Sequence, residues 1–597
     1  MSLWNRFKNF IRKPHNLILV LLFAALFFLT MFPLLSLLKD SFLVHPSEVR
    51  SIKGSKAGDL TLYHWYKVFL DGKNSRNIFY RPLWNTIRVS LGSCFIAISM
   101  GGSVAWLVTR SNIRFKSFIS TVFVFPYIMP AWTLAMGWLN VFRNSHIGGA
   151  RGLFTAVTGI PTPNWLAYGA IPITVVLGLH YAPFAYILVG GILRNMDANL
   201  EEAATLLHAS RWKIIRKITL PIVMPAILST FLLTFASTMS AFAVPAFLGT
   251  PVRYFVITTQ LFRTLNGMNP GYGYIIAVVM IAIGCAILAF NQWITGKRKS
   301  YTTITGKSSQ ISLVDLRGFR NILSGAIIGI LVFIALMPLV SFAVESFTMV
   351  SGRYALSNFT AEFWIGDGRV NVANGEPGIL RNKYIYLGLW NSVKLSVSCA
   401  LAAGTLGVLC GYAVVKGKMY RLSTFVNNLA FFPYLMPAMA FGAIYLSMFS
   451  KRNLFIPSLY GTFFLLVLVG TVKYLPFASR AGVNAMMQLS GEIEEAALIQ
   501  GVGWWKRMTR IIFPIQKSSF LSGYLLPFIS CMRELSLFIL LITPANRILT
   551  TMLFQYNEKG WSQYANAINL LIIIVVVAFN IGVNKLTGAS IDKGIGG

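Results

Sequence analysis

The most constraining feature of this chain is a set of apolar runs too long for a soluble fold. Residues 17–38 read LILVLLFAALFFLTMFPLLSLL, without one charge. Comparable runs recur near 84–109, 118–140, 168–193, 222–247 and 273–295, and again near 321–343, 387–415, 422–449, 460–480, 518–541 and 563–583. A helix needs about 20 apolar residues to cross a bilayer, and in lipid every backbone polar group must be paired within the segment. The runs are unbroken rather than alternating, which excludes a transmembrane β-barrel. Only 12% of residues are charged, against about 25% in soluble domains. The expected fold is all-α and polytopic, with about twelve transmembrane helices.

The runs form two sets because the chain repeats itself. WNTIRVS at 84 returns as WNSVKLS at 390, and FPYIMPAWTLAMGWL at 125 returns as FPYLMPAMAFGAIYL at 432. HYAPFAYILVGGI at 180 faces KYLPFASRAGVNA at 473. The offset falls from 306 or 307 to 293 within one loop, 141–167, so the apolar segments keep their lengths while a loop changes. The expected organisation is a first half of about six spans (1–296), a polar linker (297–320) and a second half of about six spans (321–597). TGKSS in the linker lacks the first glycine of a phosphate-binding loop and follows no strand, so it is not read as one.

Basic residues gather in the short loops of one face, which places that face, and both termini, on the cytoplasmic side. The net charge of +34 is then mostly a coat facing anionic lipid of the bilayer. No nucleic acid is expected as a partner, since no basic stretch belongs to a soluble domain. The basic N-terminus ahead of 17–38 resembles a signal peptide, but the run is too long and no small-residue cleavage pattern follows, so it is read as an uncleaved span. The five cysteines all sit in apolar segments without paired or zinc-like spacing and read as small buried hydrophobes. No metal site is expected.

One polar sentence occurs twice. EEAATLLHASRWKIIRKITLP spans 201–221 and EEAALIQGVGWWKRMTRIIFP spans 494–514. Each opens with a carboxylate pair, Glu201/Glu202 or Glu494/Glu495, suited to a helix N-terminus. Ala203/Ala204 or Ala496/Ala497 follow, helix-favouring and small enough for close approach. A break comes near His208 or Gly501, then a basic cluster with tryptophan, then Pro221 or Pro514 where the next span begins. A basic amphipathic loop at the membrane surface accounts for the tryptophans but not for the repeated Glu-Ala-Ala. A docking surface for a repeated partner accounts for both.

Here the chain resembles the membrane subunits of binding-protein-dependent ABC importers, whose signature runs E-A-A, three residues, G, nine residues, I-x-L-P. The second copy supplies Glu495, Ala496, Ala497, Gly501, Ile511, Phe513 and Pro514. The first supplies Glu202, Ala203, Ala204, Ile218, Leu220 and Pro221, with His208 in place of glycine. The resemblance implies that loops 197–220 and 490–514 are coupling helices for two copies of a cytoplasmic ABC ATPase. ATP and magnesium would sit on that partner and no cofactor on this chain, which is not itself an enzyme. It also implies an extracytoplasmic substrate-binding protein and a place in the bacterial cytoplasmic (inner) membrane. Because histidine takes positive φ only occasionally, the first loop is expected to turn differently from the second.

Two fused halves most resemble ferric-iron-type permeases, a likeness strengthened by CMRELSLFILLITPANRILTTMLFQY at 531–556. Related fused permeases carry phosphonates, sugar phosphates or thiamine. Arg533 and Glu534 are costly inside a span, by about 2.5–3.5 kcal/mol each. Either they line the translocation path or they bond neighbouring helices. Pro126, Pro130 and Pro183 match Pro433, Pro437 and Pro476 in the other half, and such breaks free backbone groups around a cavity. Arg88, His180 and Lys473 read as structural or interfacial. An ion-coupled secondary transporter is the rival class, but it needs acidic groups at the midplane, where Glu534 stands alone. A membrane enzyme lacks any catalytic constellation.

Overall fold

The computed structural model describes residues 13–52, 54–196, 199–296, 313–417, 421–450 and 457–587. Most of the linker and the basic N-terminal residues lie outside these. Nine helices among the described residues are long and apolar enough to cross a membrane, or eleven if each of two bent pairs is one span. In chain order the segments used below are α1 Pro14–Asp40, α2 Arg81–Arg110, α3 Lys116–Ile128, α4 Ala131–Phe142, α5 Ala170–Asn195, α6 Asn199–Leu206, α7 Leu220–Met239 and α8 Pro270–Gly296. The second half gives α9 Phe319–Ser346, α10 Lys383–Lys416, α11 Arg421–Leu435, α12 Ala438–Phe449, α13 Phe463–Met487, α14 Gly491–Ile499, α15 Lys517–Met532 and α16 Ser562–Thr587. The all-helical, two-repeat architecture is as the sequence implies.

Four expected spans differ in detail. Runs 118–140 and 422–449 are broken, bending by 93° between α3 and α4 and by 105° between α11 and α12. Pro130 and Pro437 cap the second segment of each pair, since a proline can start a helix but cannot continue the one before it. The run 518–541 is helical only to Met532, and its counterpart 222–247 breaks after Met239 and resumes as a short helix at Ala243.

The repeat survives in individual contacts. In each half a glycine of the long central helix lies against an alanine of the next: Gly101 against Ala185, Gly407 against Ala478. A Cβ at either glycine would come within 2.7 Å of the alanine, so the helices cross at a separation only glycine permits. Asn85 donates to the carbonyl of Phe255 and Asn391 to that of Arg547. Thr86 accepts from the N–H of Ile257 and Ser392 from that of Leu549.

The halves are nonetheless interleaved. α1 packs on α10, α11 and α12 of the other half. There Tyr445 donates to the carbonyl of Leu29 at 2.6 Å and Ser447 to Asp40 at 2.7 Å. Reciprocally, α9 packs on α3 and α4, where Arg143 pairs with the buried Glu345 at 2.7 Å. One hydrophobic core accordingly runs through both halves, from Leu37 to Val576.

Candidate functional site

Both Glu-Ala-Ala loops fold as helix, turn and second helix, on the same face of the bundle. α6 and α14 are each followed, two residues on, by a residue with positive φ: His208 at 56° and Gly501 at 73°. The capping bonds match as well. Ala209 N–H donates to the carbonyl of Ala204 and Val502 N–H to that of Ala497, both at 3.0 Å. The expectation that the first loop turns differently is therefore corrected. His208 accepts the left-handed conformation because the flanking capping bonds hold it there, at a cost of about 1–2 kcal/mol. After the turn each chain passes through a π-helical turn, Ile215–Thr219 or Met508–Ile512, into a segment led by Pro221 or Pro514.

The carboxylate pairs divide their work. Glu201 turns inward, accepting from Thr219 at 2.5 Å and lying 3.7 Å from the guanidinium of Arg110. Glu494 turns inward likewise, 2.7 Å from Lys416 and 3.6 Å from Arg507, and accepts from Tyr412 at 2.9 Å. Arg110 and Lys416 are themselves repeat counterparts, each at the end of the long central helix. A salt link thus ties each short helix to the bundle. Glu202 is half-buried and Glu495 exposed. Beyond them each loop presents an apolar tip: Leu206 and Leu207 are 80% and 83% exposed, and Ile499 is 85% exposed. Trp212 and Trp505, in the second helix of each loop, are also exposed. Ala203 and Ala496 are exposed, whereas Ala204 is half-buried and Ala497 buried. Leu220 is exposed at the start of α7 and Phe513 half-buried.

The helix breaks explain the paired prolines. Pro130 has no N–H, so the carbonyl four residues earlier, on Pro126, loses its helical donor. His180 Nδ1 lies 3.1 Å from it. In the other half Pro437 frees the carbonyl of Pro433, and Lys473 donates to it at 2.9 Å and also to Met436. His180 and Lys473 occupy matched positions and serve the same backbone defect with different chemistry.

Two cavities lie along the interface of the halves. One of about 610 Å³ is lined toward the loop face by Asn484, Gln488 and Ser518. The other, an inner chamber of about 300 Å³, is lined by Trp132, His180, Lys473 and Glu534. Tyr434, Phe477 and Arg533 border both. With their repeat counterparts Tyr127 and Phe184, these aromatics form a partition between the cavities. Arg533 donates to the carbonyl of Tyr127 at 2.8 Å and so bridges the halves. Arg533 and Glu534 are not within a helix, contrary to the expected span. Glu534 accepts from the N–H of Leu537 at 3.0 Å and from Tyr474 at 2.9 Å, and its carbonyl accepts from Thr550. These bonds favour a tight turn over a further helical turn.

The family model for "binding-protein-dependent transport system inner membrane component" matches residues 95–300 and again 403–589, together well over half of the chain. The chain belongs to this family. The inner membrane component described here is also 24% identical, over 83% of its length and 70% of the relative's, to the "Ferric transport system permease protein FbpB" of Actinobacillus pleuropneumoniae. It is 25% identical to the "Putative ferric transport system permease protein FbpB 1" of Haemophilus influenzae, over 77% of this chain and 71% of that protein. A more distant relative, the "Maltose/maltodextrin transport system permease protein MalG" of Yersinia pestis, matches over 49% of this chain at 21% identity. The two family matches fall one in each half, consistent with the repeat. The component is thus an ABC importer permease and a multi-pass membrane protein, and its family implies ATPase and substrate-binding-protein partners.

Sequence reasoning on this inner membrane component missed the inward-facing anchors. Arg110 and Lys416 were legible in principle: each is a basic residue closing an apolar run, at the 306-residue offset. The partition had a signal too, since the tyrosine of FPY and the phenylalanine of PF recur in both halves. Arg533 stood out as a charge in an apolar run, but its repeat counterpart is Ser240, so the repeat gave no sign of its place in the partition.

Proposed function

We propose that this permease imports ferric iron, received from a substrate-binding protein on the extracytoplasmic face and driven by two copies of an ATPase gripping α6 and α14. ATP and magnesium act on that ATPase. Both termini then lie in the cytoplasm, on the side of the two loops. The observation that carries this reading is the pair of matched loops on one face, each anchored by an inward carboxylate and each ending in an apolar tip left open to solvent. Exposed apolar surface of this kind is costly unless a partner covers it. The larger cavity lies on the loop side of the aromatic partition, which fits an inward-facing state. Closure of the ATPases on ATP, binding one state of the permease better than the other, supplies the free energy that shifts the equilibrium. Support for ferric iron comes from the two relatives above that are named as ferric transport permeases.

The test is co-purification and uptake. A tagged chain should bring down an ATPase in a two-to-one ratio, and Glu202→Arg with Glu495→Arg should abolish the capture. A deletion strain should lose uptake of radiolabelled ferric iron and regain it with the wild-type chain. Capture unaffected by the double charge reversal, or iron uptake independent of the chain, defeats the respective half of the reading.

A further inference from the structure

The inner chamber is rich in donors and poor in acceptors. Lys473 and Arg533 bring two positive charges to its wall, against one carboxylate, Glu534. That carboxylate is already engaged by Tyr474 and by the Leu537 N–H. Trp132 also lines the chamber, is 3% exposed, and its indole N–H has no acceptor among the described residues. A buried N–H left without an acceptor costs about 1–3 kcal/mol. The broken helices add to the field. α4 and α12, of twelve residues each, start at Ala131 and Ala438, and both of these line the chamber. Each start carries about half a positive charge from the aligned peptide dipoles. Lys473 lies about 21 Å along α13 from its loop-side end at Met487, counting 1.5 Å per residue, so the chamber is near mid-membrane. Among the described residues no three His, Cys, Asp or Glu side chains gather to hold a metal ion.

We propose that the inner chamber is an oxyanion-binding subsite, so that cargo crosses it as an anion or as a metal ion capped by an oxyanion, not as a bare cation. This rests on the permease reading and deepens it. Lys473 supplies charge, Trp132 a donor without an acceptor of its own, and Arg533 joins the chamber to the partition, where its bond to Tyr127 would respond to an arriving anion. The halves contribute unequally. His180 and Ser240 stand where the second half has Lys473 and Arg533, so an anion sits off the pseudo-symmetry axis, toward the second half.

The probes are inorganic phosphate and citrate, each radiolabelled and measured by equilibrium dialysis against the full-length chain in lipid nanodiscs, at constant ionic strength set with chloride. Saturable binding of either anion is expected. Lys473→Met should weaken it at least tenfold, Lys473→Arg should retain it, and Trp132→Phe should weaken it several-fold. Trp132→Phe keeps the packing, so the test stands even if Lys473→Met misfolds. No saturable binding of either anion, or equal binding by wild type and Trp132→Phe, overturns the subsite. The two readings separate cleanly. ATP-dependent uptake of ferric iron by a chain that binds neither anion removes the subsite and leaves the importer standing. Anion binding by a chain that captures no ATPase retains the subsite and removes the coupling reading.

Discussion

Glu201→Gln should release α6 from the bundle while leaving the bundle folded. Glu201 faces Arg110, whose side chain is 1% exposed and whose NH2 donates to the carbonyl of Met196. At 3.7 Å and an effective dielectric near 20, the charge–charge attraction is about 4–5 kcal/mol. Glutamine can still accept from Thr219 but carries no charge to set against the guanidinium. Removing one member of a buried pair costs about 3–5 kcal/mol. Arg110 cannot swing to water without unpacking the end of α2, so the strain is relieved more cheaply by opening the short helix. Glu494→Gln should cost about as much relative to wild type: Lys416 is 27% exposed and can extend toward solvent, but Arg507, 3.6 Å away, is as buried as Glu494 itself. Hydrogen exchange of the purified chain in nanodiscs reads the loss. Amides of 199–206 should lose protection roughly a hundredfold or more in Glu201→Gln, at 1.4 kcal/mol per decade, or fall to the unprotected rate if the wild-type helix opens more easily than that. Glu202→Gln should leave them within threefold. The double variant Arg110→Gln, Glu201→Gln should recover part of the loss, since no charge is then stranded. Unchanged protection in Glu201→Gln would falsify the anchor.

Other consequences are as direct. His208→Gly should stabilise the first loop by about 1 kcal/mol, because glycine takes positive φ without the side-chain penalty; slower exchange at 203–209 is the readout, and faster exchange would contradict it. Ile499→Glu with Leu206→Glu should leave thermal stability unchanged yet remove ATPase capture, whereas loss of stability would show that the tips belong to the fold. His180→Leu strands the carbonyl of Pro126 and should cost about 1–3 kcal/mol, seen as a lower unfolding temperature that His180→Lys, copying the second half, restores. On the far face Glu48 is buried; its burial raises the carboxyl's proton affinity, but bonds from His64 and from the N–H groups of His45 and Gly271 outweigh that and hold it below the ordinary value of 4.5. A carboxylate whose folded pKa is depressed contributes stability present above its unfolded pKa and lost as pH falls through the folded one. Loop 41–80 should therefore become protease-sensitive below about pH 4, and Glu48→Gln should be sensitive already at neutral pH.

Features that follow from period and repetition were legible in the sequence. Apolar runs gave the helices, and the paired sentences gave both loops, because a repeat turns a weak local signal into a strong one. Features that depend on where a helix stops were not. Runs 118–140 and 422–449 stay apolar through their breaks, since the chamber side of a broken helix is as greasy as the lipid side; only Pro130 and Pro437 mark the corners. The interleaving of α1 and α9 with the opposite halves was invisible for a related reason. Lipid-facing and helix-facing surfaces are both apolar, so composition does not say which neighbour a span chooses.

The least legible residues are those where the repeat fails. A two-fold symmetric permease would place identical groups on both sides of its path, and a cargo at the centre would meet each pair equally. This chain keeps the symmetric parts where geometry demands them: the proline corners, the Gly101 and Gly407 crossings, the aromatic partition. It departs at His180 against Lys473 and at Ser240 against Arg533. At the proline corner a charge is not needed to pair the freed carbonyl, because His180 already satisfies that of Pro126 at 3.1 Å. A lysine in the matched place adds charge and a second bond, to the carbonyl of Met436. Charge set at mid-membrane is expensive, and the fold has a neutral solution to the same backbone problem in its other half. The charges on one side of the chamber are therefore best explained by what passes through it.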